Sequence, residues 1–288
     1  MKKLIGILCV AMLMMVSGCK DATTTVSNGS EMIMRVGDKT ITKENVNKLL
    51  KLYTGYNTVL QNAIQKILDA EITITEEIEA KARESLAKSK ENLGEKFASM
   101  LTSNGYVDEE DYYKNVSLNG VLRQELVKKY LIDENKIETY HPFKAQMLIA
   151  KDEESAKAAL AEIQNGADFE TVTRQYGDTS KSDGTVQIYH SSSGLPAIVT
   201  EKVTNTAQAQ LIEEVITDSA NSVYYVIRIT DYDYKNFVQE AADSIIQNAT
   251  LNDEAIAFYL KKHQFKVYDI DIYNGIKKTN PNYLVQDQ

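Results

Sequence analysis

The spacing of apolar residues changes abruptly at His141-Pro142, and this change most constrains the fold of the chain. Between residues 43 and 132, apolar residues recur at spacings of three and four, which is typical of helices that bury one face. After Pro142, strand-like runs such as AQMLIA alternate with short helical stretches. The pattern predicts an α+β fold with mostly helical N- and C-terminal regions on either side of a β/α domain.

The same pattern sets the limits of each region. The helical N-terminal region covers residues 31–140, the β/α domain covers 141–232, and a C-terminal segment at 233–277, which resembles the N-terminal region more than the middle, precedes a tail at 278–288. MIMRVGDKTIT predicts a hairpin at Met32–Thr42, and a helix follows from about residue 43 to residue 70. FKVYDIDIY, from residue 265 to residue 273, predicts a strand.

Individual patterns within these regions give further predictions. Val46, Leu49, Leu50 and Tyr53 form a helical stripe that we expect to be core. Thr75 opens one long charged helix that continues through Gly94, and the segment from residue 179 to residue 196 is expected to be a loop.

The first nineteen residues, MKKLIGILCVAMLMMVSGC, combine two lysines with an apolar run that is too short to span a bilayer. Residues 1–18 therefore read as a signal peptide. The small residues before Cys19 resemble the lipobox of bacterial lipoproteins, which implies that Cys19 carries lipid and that residues 19–30 form a tether. The alternative is an ordinary secretory signal that contains a cysteine by chance. The lipoprotein interpretation places the chain on the extracytoplasmic face of a bacterial membrane.

Composition excludes several classes of function. The formal net charge of −9 becomes −11 once residues 1–18, which carry Lys2 and Lys3, are removed. Such a charge disfavours nucleic-acid binding. The only other cysteine, Cys9, lies in the signal peptide, and no pair of the three histidines has zinc-ligand spacing. No nucleotide-binding or hydrolase motif is present, so we expect no metal and no cofactor.

The middle of the chain resembles a parvulin-type peptidyl-prolyl isomerase domain. KAQMLIAKDEESAKAALAEIQNGADFETVTRQYGDTSKSDG follows the order of that family's strand, helix, turn, helix and Ser/Gly loop, and VYYVIRITDY matches its closing strand. GDKTIT, a long helix and LDAEITITEEIEAKA resemble the N-terminal region of the PrsA and SurA extracytoplasmic foldases. The resemblance implies a foldase lipoprotein in which the helical N- and C-terminal regions form one lobe around an inserted parvulin-like domain.

The resemblance also assigns site residues, and most of them depart from the family pattern. Gln146 and Tyr225 stand where the family has histidines, and Asp178 takes an acidic position. Leu195 and Val199 replace the larger pair that binds the proline ring, and the usual GGDLG reads DGTVQ. Isomerisation needs selective binding of the twisted amide and no nucleophile. The substitutions therefore predict weak or absent isomerase activity, with an active but unusual site as the alternative. His190 either lines this pocket or is simply solvated.

The helical lobe has its own predicted function, which is to hold unfolded segments. Its candidate client-binding residues are Met100, Leu101, Tyr106, Tyr112 and Tyr113, and their alternative role is ordinary core. The preferred hypothesis is a membrane-anchored chaperone that assists the folding of newly exported polypeptides. An active isomerase and a structural surface lipoprotein are the alternatives. The sequence leaves open the client proteins, the pairing of two chains into a homodimer, and whether the cell envelope has one membrane or two.

Overall fold

The computed structural model describes residues 23–246 and 249–286, so the predicted signal peptide and Cys19 lie outside the described residues. The chain forms two compact units. The helical unit contains the residues up to Leu126 and those from Asp253 onward, and the sheet unit contains Val127–Asn252. The predicted α+β class and the union of N- and C-terminal segments in one lobe are confirmed.

The sheet unit is longer at both ends than the predicted domain at residues 141–232. Lys128 Nζ lies 2.7 Å from Asp243 Oδ1, and Lys144 Nζ lies 2.7 Å from Glu240 Oε2. These ion pairs join flanking helices and the first strand of the sheet within one unit.

The helical unit begins with an antiparallel hairpin of β1 (Met32–Val36) and β2 (Lys39–Thr42). The helices that follow are α1 (Lys43–Leu50), α2 (Tyr56–Glu71), α3 (Glu76–Leu93), α4 (Lys96–Ser103), α5 (Glu109–Tyr112) and α6 (Asn119–Asp133), and the C-terminal ones are α11 (Ala249–Lys262) and α12 (Ile270–Thr279). Wider π-helical turns at Lys51–Gly55 and Tyr113–Leu118 connect α1 to α2 and α5 to α6.

Side-chain caps explain where several of these helices begin and end. Thr42 and Asn45 form a reciprocal capping box at the start of α1, and Thr75 accepts the Ile78 N–H at the start of α3. Gly94 ends α3 with a φ of +50°, a backbone conformation that glycine adopts without steric cost. The prediction of one continuous helix through Gly94 was therefore wrong.

The C-terminal segment FKVYDIDIY was predicted as a strand, and this prediction was also wrong. Asp269 Oδ1 accepts the N–H groups of Asp271 and Ile272 and starts α12. Ile272 and Ile276, four residues apart, are both buried on one face of that helix. The apparent alternation of apolar residues was too short to distinguish a strand from the first turn of a helix.

A buried ion pair fixes the N-terminal segment of the helical unit. Lys51 Nζ donates to Asp269 Oδ2 at 2.9 Å and to the Thr24 carbonyl at 2.5 Å. The Thr24 N–H and hydroxyl donate to the same carboxylate oxygen at 2.8 and 2.6 Å. Residues from Thr24 onward are thus held against the helices, although the sequence assigns residues 19–30 to a tether.

The apolar stripe Val46, Leu49, Leu50 and Tyr53 was predicted to be core, and the structure contradicts this for most of it. The exposed fractions are 52% for Leu49, 55% for Leu50 and 75% for Tyr53. Periodicity identifies which side of a helix is apolar, but it does not show whether any other element covers that side.

The sheet unit contains a four-stranded antiparallel sheet in the order β4-β3-β6-β5. Its strands are β3 (Phe143–Ala150), β4 (Val186–Tyr189), β5 (Ile216–Asp218) and β6 (Val223–Asp231), and its helices are α7 (Glu153–Gln164), α8 (Phe169–Tyr176), α9 (Ala197–Thr206) and α10 (Val238–Ile245). Strand β4 lies within the segment that was predicted to be a loop. Asp152 and Asp168 cap α7 and α8 through the N–H groups three residues on.

Candidate functional site

Each face of the four-stranded sheet carries its own apolar cluster. On one face, α7 and α8 cover Leu148, Ala150 and Val226. On the other face, which we call the α9 face, Val199 and Val203 of α9 pack against Met147, Tyr225 and Ile227. Successive side chains of a strand point to opposite faces, so a residue's register decides which cluster it joins.

The structure brings Leu195, Val199 and Tyr225 together on the α9 face. Val199 and Tyr225 belong to the same buried cluster, and Leu195 packs against it while remaining half-buried. Three of the five residues that the resemblance assigns to the isomerase site therefore converge.

Gln146 does not join these residues. Its amide nitrogen donates to the Gly184 carbonyl at 3.0 Å, and its amide oxygen accepts from Arg228 Nη1 at 3.4 Å. Arg228, an even-numbered residue of β6, lies over the ring of Phe169 in α8. Gln146 thus faces the α7 and α8 side. On β3, Ala145, Met147 and Ile149 share the face with Tyr225. A shift of the alignment by one residue, from Gln146 to Met147, would bring the family's first histidine position onto this face.

Asp178 lies beside β3, where its N–H donates at 2.8 Å to the carbonyl of Ile149, the cross-strand partner of Tyr225. The hydroxyl and N–H of Ser180 donate to Asp178 Oδ1 at 2.6 and 3.2 Å and lower the pKa of this carboxyl group. The carboxylate that affects the pKa of Tyr225 belongs to Asp218. Burial, together with the negative charge of Asp218, raises the pKa of the Tyr225 hydroxyl. Sequence reasoning missed Asp218 because it lies on the short strand β5, which has no pattern of its own.

The pair assigned to proline binding is mostly closed to solvent. Val199 is fully buried, Met147 is 2% exposed and Tyr225 is 7% exposed, so these side chains fill the α9 face as core. A cleft of about 520 Å³ in the same unit lies elsewhere, between Glu138, Ala207 and Asp231. Only Leu195 is left with appreciable exposure among the predicted proline-contacting residues.

The Ser/Gly loop is fixed against β3. The Ser182 hydroxyl donates to the Met147 carbonyl, and Gly184 lies beside Thr173 of α8 with a φ of +80°. A Cβ atom at residue 184 would come within 2.8 Å of Thr173 Cβ. Gly184, the one glycine that remains where the family has GGDLG, is therefore required by close packing.

His190 is neither solvated nor part of the Leu195 site. Its Nδ1 accepts the Ser192 N–H at 3.2 Å, and its ring meets that of Tyr140 edge to face at 6.1 Å. Burial lowers the pKa of His190, and a hydrogen bond to the backbone of Ser244 opposes that change. The residue links three segments of the sheet unit.

In the helical unit, two of the predicted client-binding residues, Tyr106 and Tyr112, form an aromatic cluster with Phe97. The Tyr112 ring meets Phe97 at 5.4 Å and Tyr106 at 5.2 Å, both edge to face. Tyr113 is 5% exposed under the guanidinium of Arg83, so Tyr113 is core. Met100, Leu101, Tyr106 and Tyr112 are half-buried or exposed. Val107, 88% exposed, follows Tyr106 directly.

Sequence comparison relates the chain to one group of proteins over nearly its whole length. The PrsA 2 foldase of Bacillus cereus is 26% identical over 284 residues, which cover 93% of this chain and 94% of the relative. The PrsA 4 foldase of the same organism is 23% identical over 291 residues, which cover 96% and 98%. The chain is similar to PrsA foldases along nearly its whole length. No family model matches it.

Solved structures with the PrsA name were also found. The crystal structure of the foldase protein PrsA from Streptococcus pneumoniae gives a TM-score of 0.49 at 19% identity, covering 88% of this chain and all of that one. The PrsA peptidylprolyl isomerase from Bacillus cereus gives 0.47 at 21%, with the same coverage.

The described part of this PrsA-like chain holds no cluster of His, Cys, Asp and Glu that suits a metal ion. Within residues 23–246 and 249–286, every helix is too short or too polar to cross a bilayer.

Proposed function

We propose that this PrsA-like chain is a foldase of the extracytoplasmic membrane face, anchored by lipid on Cys19, that assists the folding of newly exported polypeptides. Relatives named foldases match it along almost the whole chain, including both parts of the helical unit. The lipobox resemblance of the N-terminus supports the anchor, and the predicted secretory signal agrees with a function on exported proteins.

The sheet unit has weak or absent isomerase activity in this proposal. The observation that carries this part is the burial of Val199, Met147 and Tyr225, because a proline ring cannot enter a face that core side chains already fill. A Val and a Leu also offer less apolar surface to a proline than the family's larger pair does. The unit then serves as a structural element or a peptide-binding surface.

Client segments bind at the aromatic cluster of the helical unit, which we define as Phe97, Met100, Tyr106 and Tyr112. Tyrosine and methionine side chains supply a large apolar contact area and adapt to different partners. Half-buried aromatic rings at the surface suit the transient capture of unfolded chains, since such rings are positioned in advance by edge-to-face packing.

Suppression of client aggregation tests this function. The chain from Lys20 onward, added at near-stoichiometric amounts to a denatured client, is expected to reduce light scattering. Tyr106→Ala should weaken this effect, while Tyr268→Ala, which removes a 63% exposed tyrosine outside the cluster, should leave it unchanged. Absence of suppression with several unrelated clients would favour a structural surface lipoprotein. An equal loss of aggregation suppression in both variants would indicate that clients bind outside the cluster.

A further inference from the structure

Large apolar side chains are exposed along the hairpin and the first helical turns of the helical unit. The set comprises Met34, Val36 and Ile41 from the hairpin and Leu49, Leu50 and Tyr53 from α1 and the π-helical turn, with exposed fractions from 40% to 75%. Scattered exposed apolar residues are ordinary, but six within twenty residues of one segment mark an interaction surface. We call these six residues the hairpin–helix face.

The hairpin is amphipathic in its own right. Met34 pairs with Ile41 and Val36 pairs with Lys39, so these side chains point to one side of the two-stranded ribbon. Arg35 and Thr40 form the intervening pair and point to the other side. An isolated two-stranded hairpin with an uncovered apolar side is marginally stable in water, and contact with an apolar medium would remove that surface from solvent.

The position of this face along the chain favours one occupant. Thr24 is fixed on Asp269 and Lys51, and the Gly29 and Glu31 carbonyls accept the N–H groups of Glu44 and Lys43. Four residues separate Thr24 from Cys19, and the five Cα-to-Cα steps between them span at most about 18 Å when fully extended. If Cys19 carries lipid, as the proposed function holds, the start of the helical unit lies next to the bilayer.

Charge supports the same occupant. Residues 32–53 carry five basic and two acidic side chains, and four of the basic ones remain after the buried Lys51 is set aside, whereas the whole chain has a formal net charge of −9. Anionic lipids attract basic residues that flank an inserted apolar patch. A second copy of the chain, docked through the same face, would instead bring two basic segments together.

We propose that the hairpin–helix face rests on the membrane surface, with its apolar side chains in the lipid interface and its lysines and arginine at the headgroups. The lipid on Cys19 and this face then form two attachment points, which orient the helical unit on the bilayer.

Vesicle binding by the chain from Lys20 onward tests the proposal without the contribution of lipid. This form retains every contact of the described residues. Because the chain has no tryptophan, Tyr53→Trp provides a single fluorophore on the face, and Val107→Trp provides one at an exposed site outside the face. With phosphatidylcholine vesicles that contain phosphatidylglycerol, emission of the Tyr53→Trp variant should shift to the blue, and emission of the Val107→Trp variant should not.

A matched pair of charge substitutions identifies the side of the hairpin that binds. Val36→Asp places a carboxylate on the apolar side and should reduce the vesicle partition coefficient about tenfold, since burial of one aliphatic side chain contributes about that factor. Thr40→Asp makes the same charge change on the other side and should have an effect of less than about twofold. Both residues are exposed, so circular dichroism is expected to show an unchanged fold.

Three outcomes would overturn the proposal. The first is no binding to vesicles, and the second is equal loss of binding in Val36→Asp and Thr40→Asp. The third is self-association that depends on Val36 in sedimentation experiments, without binding to vesicles. That result would identify a second copy of the chain as the occupant of the face. None of these bears on chaperone function, which aggregation assays measure in solution. Failure of lipid labelling at Cys19 would contradict the lipid anchor of the proposed function. It would not contradict vesicle binding by the hairpin–helix face, which is measured without that lipid.

Discussion

Tyr225 lies on the same face of the sheet as Met147, on the neighbouring antiparallel strand, and both side chains are buried against α9. If these are the positions to which the parvulin resemblance assigns histidines, they hold a thioether and a phenol in a packed core. Neither can serve as a charged or protonatable group near neutral pH, because burial raises the pKa of the Tyr225 hydroxyl further above its ordinary value.

If the α9 face is core, truncation of Val199 should affect stability and not catalysis. Val199→Ala removes buried methyl groups from a fully buried position and is expected to lower the free energy of unfolding by about 2 kcal/mol. Urea denaturation measures this loss. Leu195→Ala, at a half-buried position, should cost less. A stable Val199→Ala variant with an altered isomerisation rate would show that Val199 lines an open pocket.

Close helix packing at Gly275 gives a second stability prediction. A Cβ atom at this position would lie 2.6 Å from Tyr56 Cβ, a distance that real contacts do not show. Gly275→Ala should therefore destabilise the helical unit by about 1 to 2 kcal/mol through overpacking. Gly120→Ala in α6 is the matched control, because a Cβ atom there would have no neighbour within 4 Å and alanine has the higher helix propensity. Thermal melts in which both variants behave alike would contradict this packing.

The ion pair of Lys51 and Asp269 predicts how removal of one partner affects folding. Both side chains are less than 10% exposed. Lys51→Met leaves a buried carboxylate without its cation and should reduce the free energy of unfolding by about 3 kcal/mol. Lys88→Met breaks an exposed pair with Glu84 and should have little effect. Similar urea midpoints for the two variants would contradict a stabilising role of the buried pair.

The same carboxylate predicts a dependence of stability on pH. Burial alone would raise the pKa of Asp269, but the hydrogen bonds from Thr24 and Lys51 outweigh burial and lower it. A folded-state pKa below the unfolded value of about 3.9 means that Asp269 stabilises the fold above that pH and loses this contribution as the pH falls further. The stability difference between the wild type and Asp269→Asn should therefore shrink in acid. A constant difference from neutral pH to strong acid would contradict the lowered pKa.

A second dependence of stability on pH is expected from His190. Burial against Tyr140 favours its neutral form, so the pKa measured by NMR in the folded protein is expected below the ordinary value of about 6.5. Because the folded state binds this proton less readily than the unfolded state, stability falls as the pH drops below about 6.5. A midpoint at or above the ordinary value would mean that the ring is solvated.

Much of the fold was predictable from local signals. The start of α3 was predicted from the cap at Thr75, and the hairpin at Met32–Thr42 followed from alternation around Gly37-Asp38. The failures have a common physical origin. Exposure of Leu49 and Tyr53, and burial of Tyr113, depend on which elements lie opposite them, and a sequence pattern carries no information about that.

The site was predictable only in part for a related reason. Leu195, Val199 and Tyr225 converge as the resemblance implied, whereas Gln146 was assigned one residue away from Met147. In a strand, a one-residue error moves a side chain to the opposite face, so the smallest alignment error changes the chemistry of the site. Asp218 had no sequence signal because its influence on Tyr225 arises from strand pairing.

The most direct test of the account is the rate constant for cis–trans isomerisation of an Xaa-Pro peptide, measured by protease coupling with the chain from Lys20 onward. The burial of Val199 and Tyr225 predicts a rate close to the uncatalysed one at every protein concentration, with aggregation suppression intact in the same preparation. A rate that rises linearly with protein concentration and is lost in Leu195→Asp would contradict it and show an active isomerase.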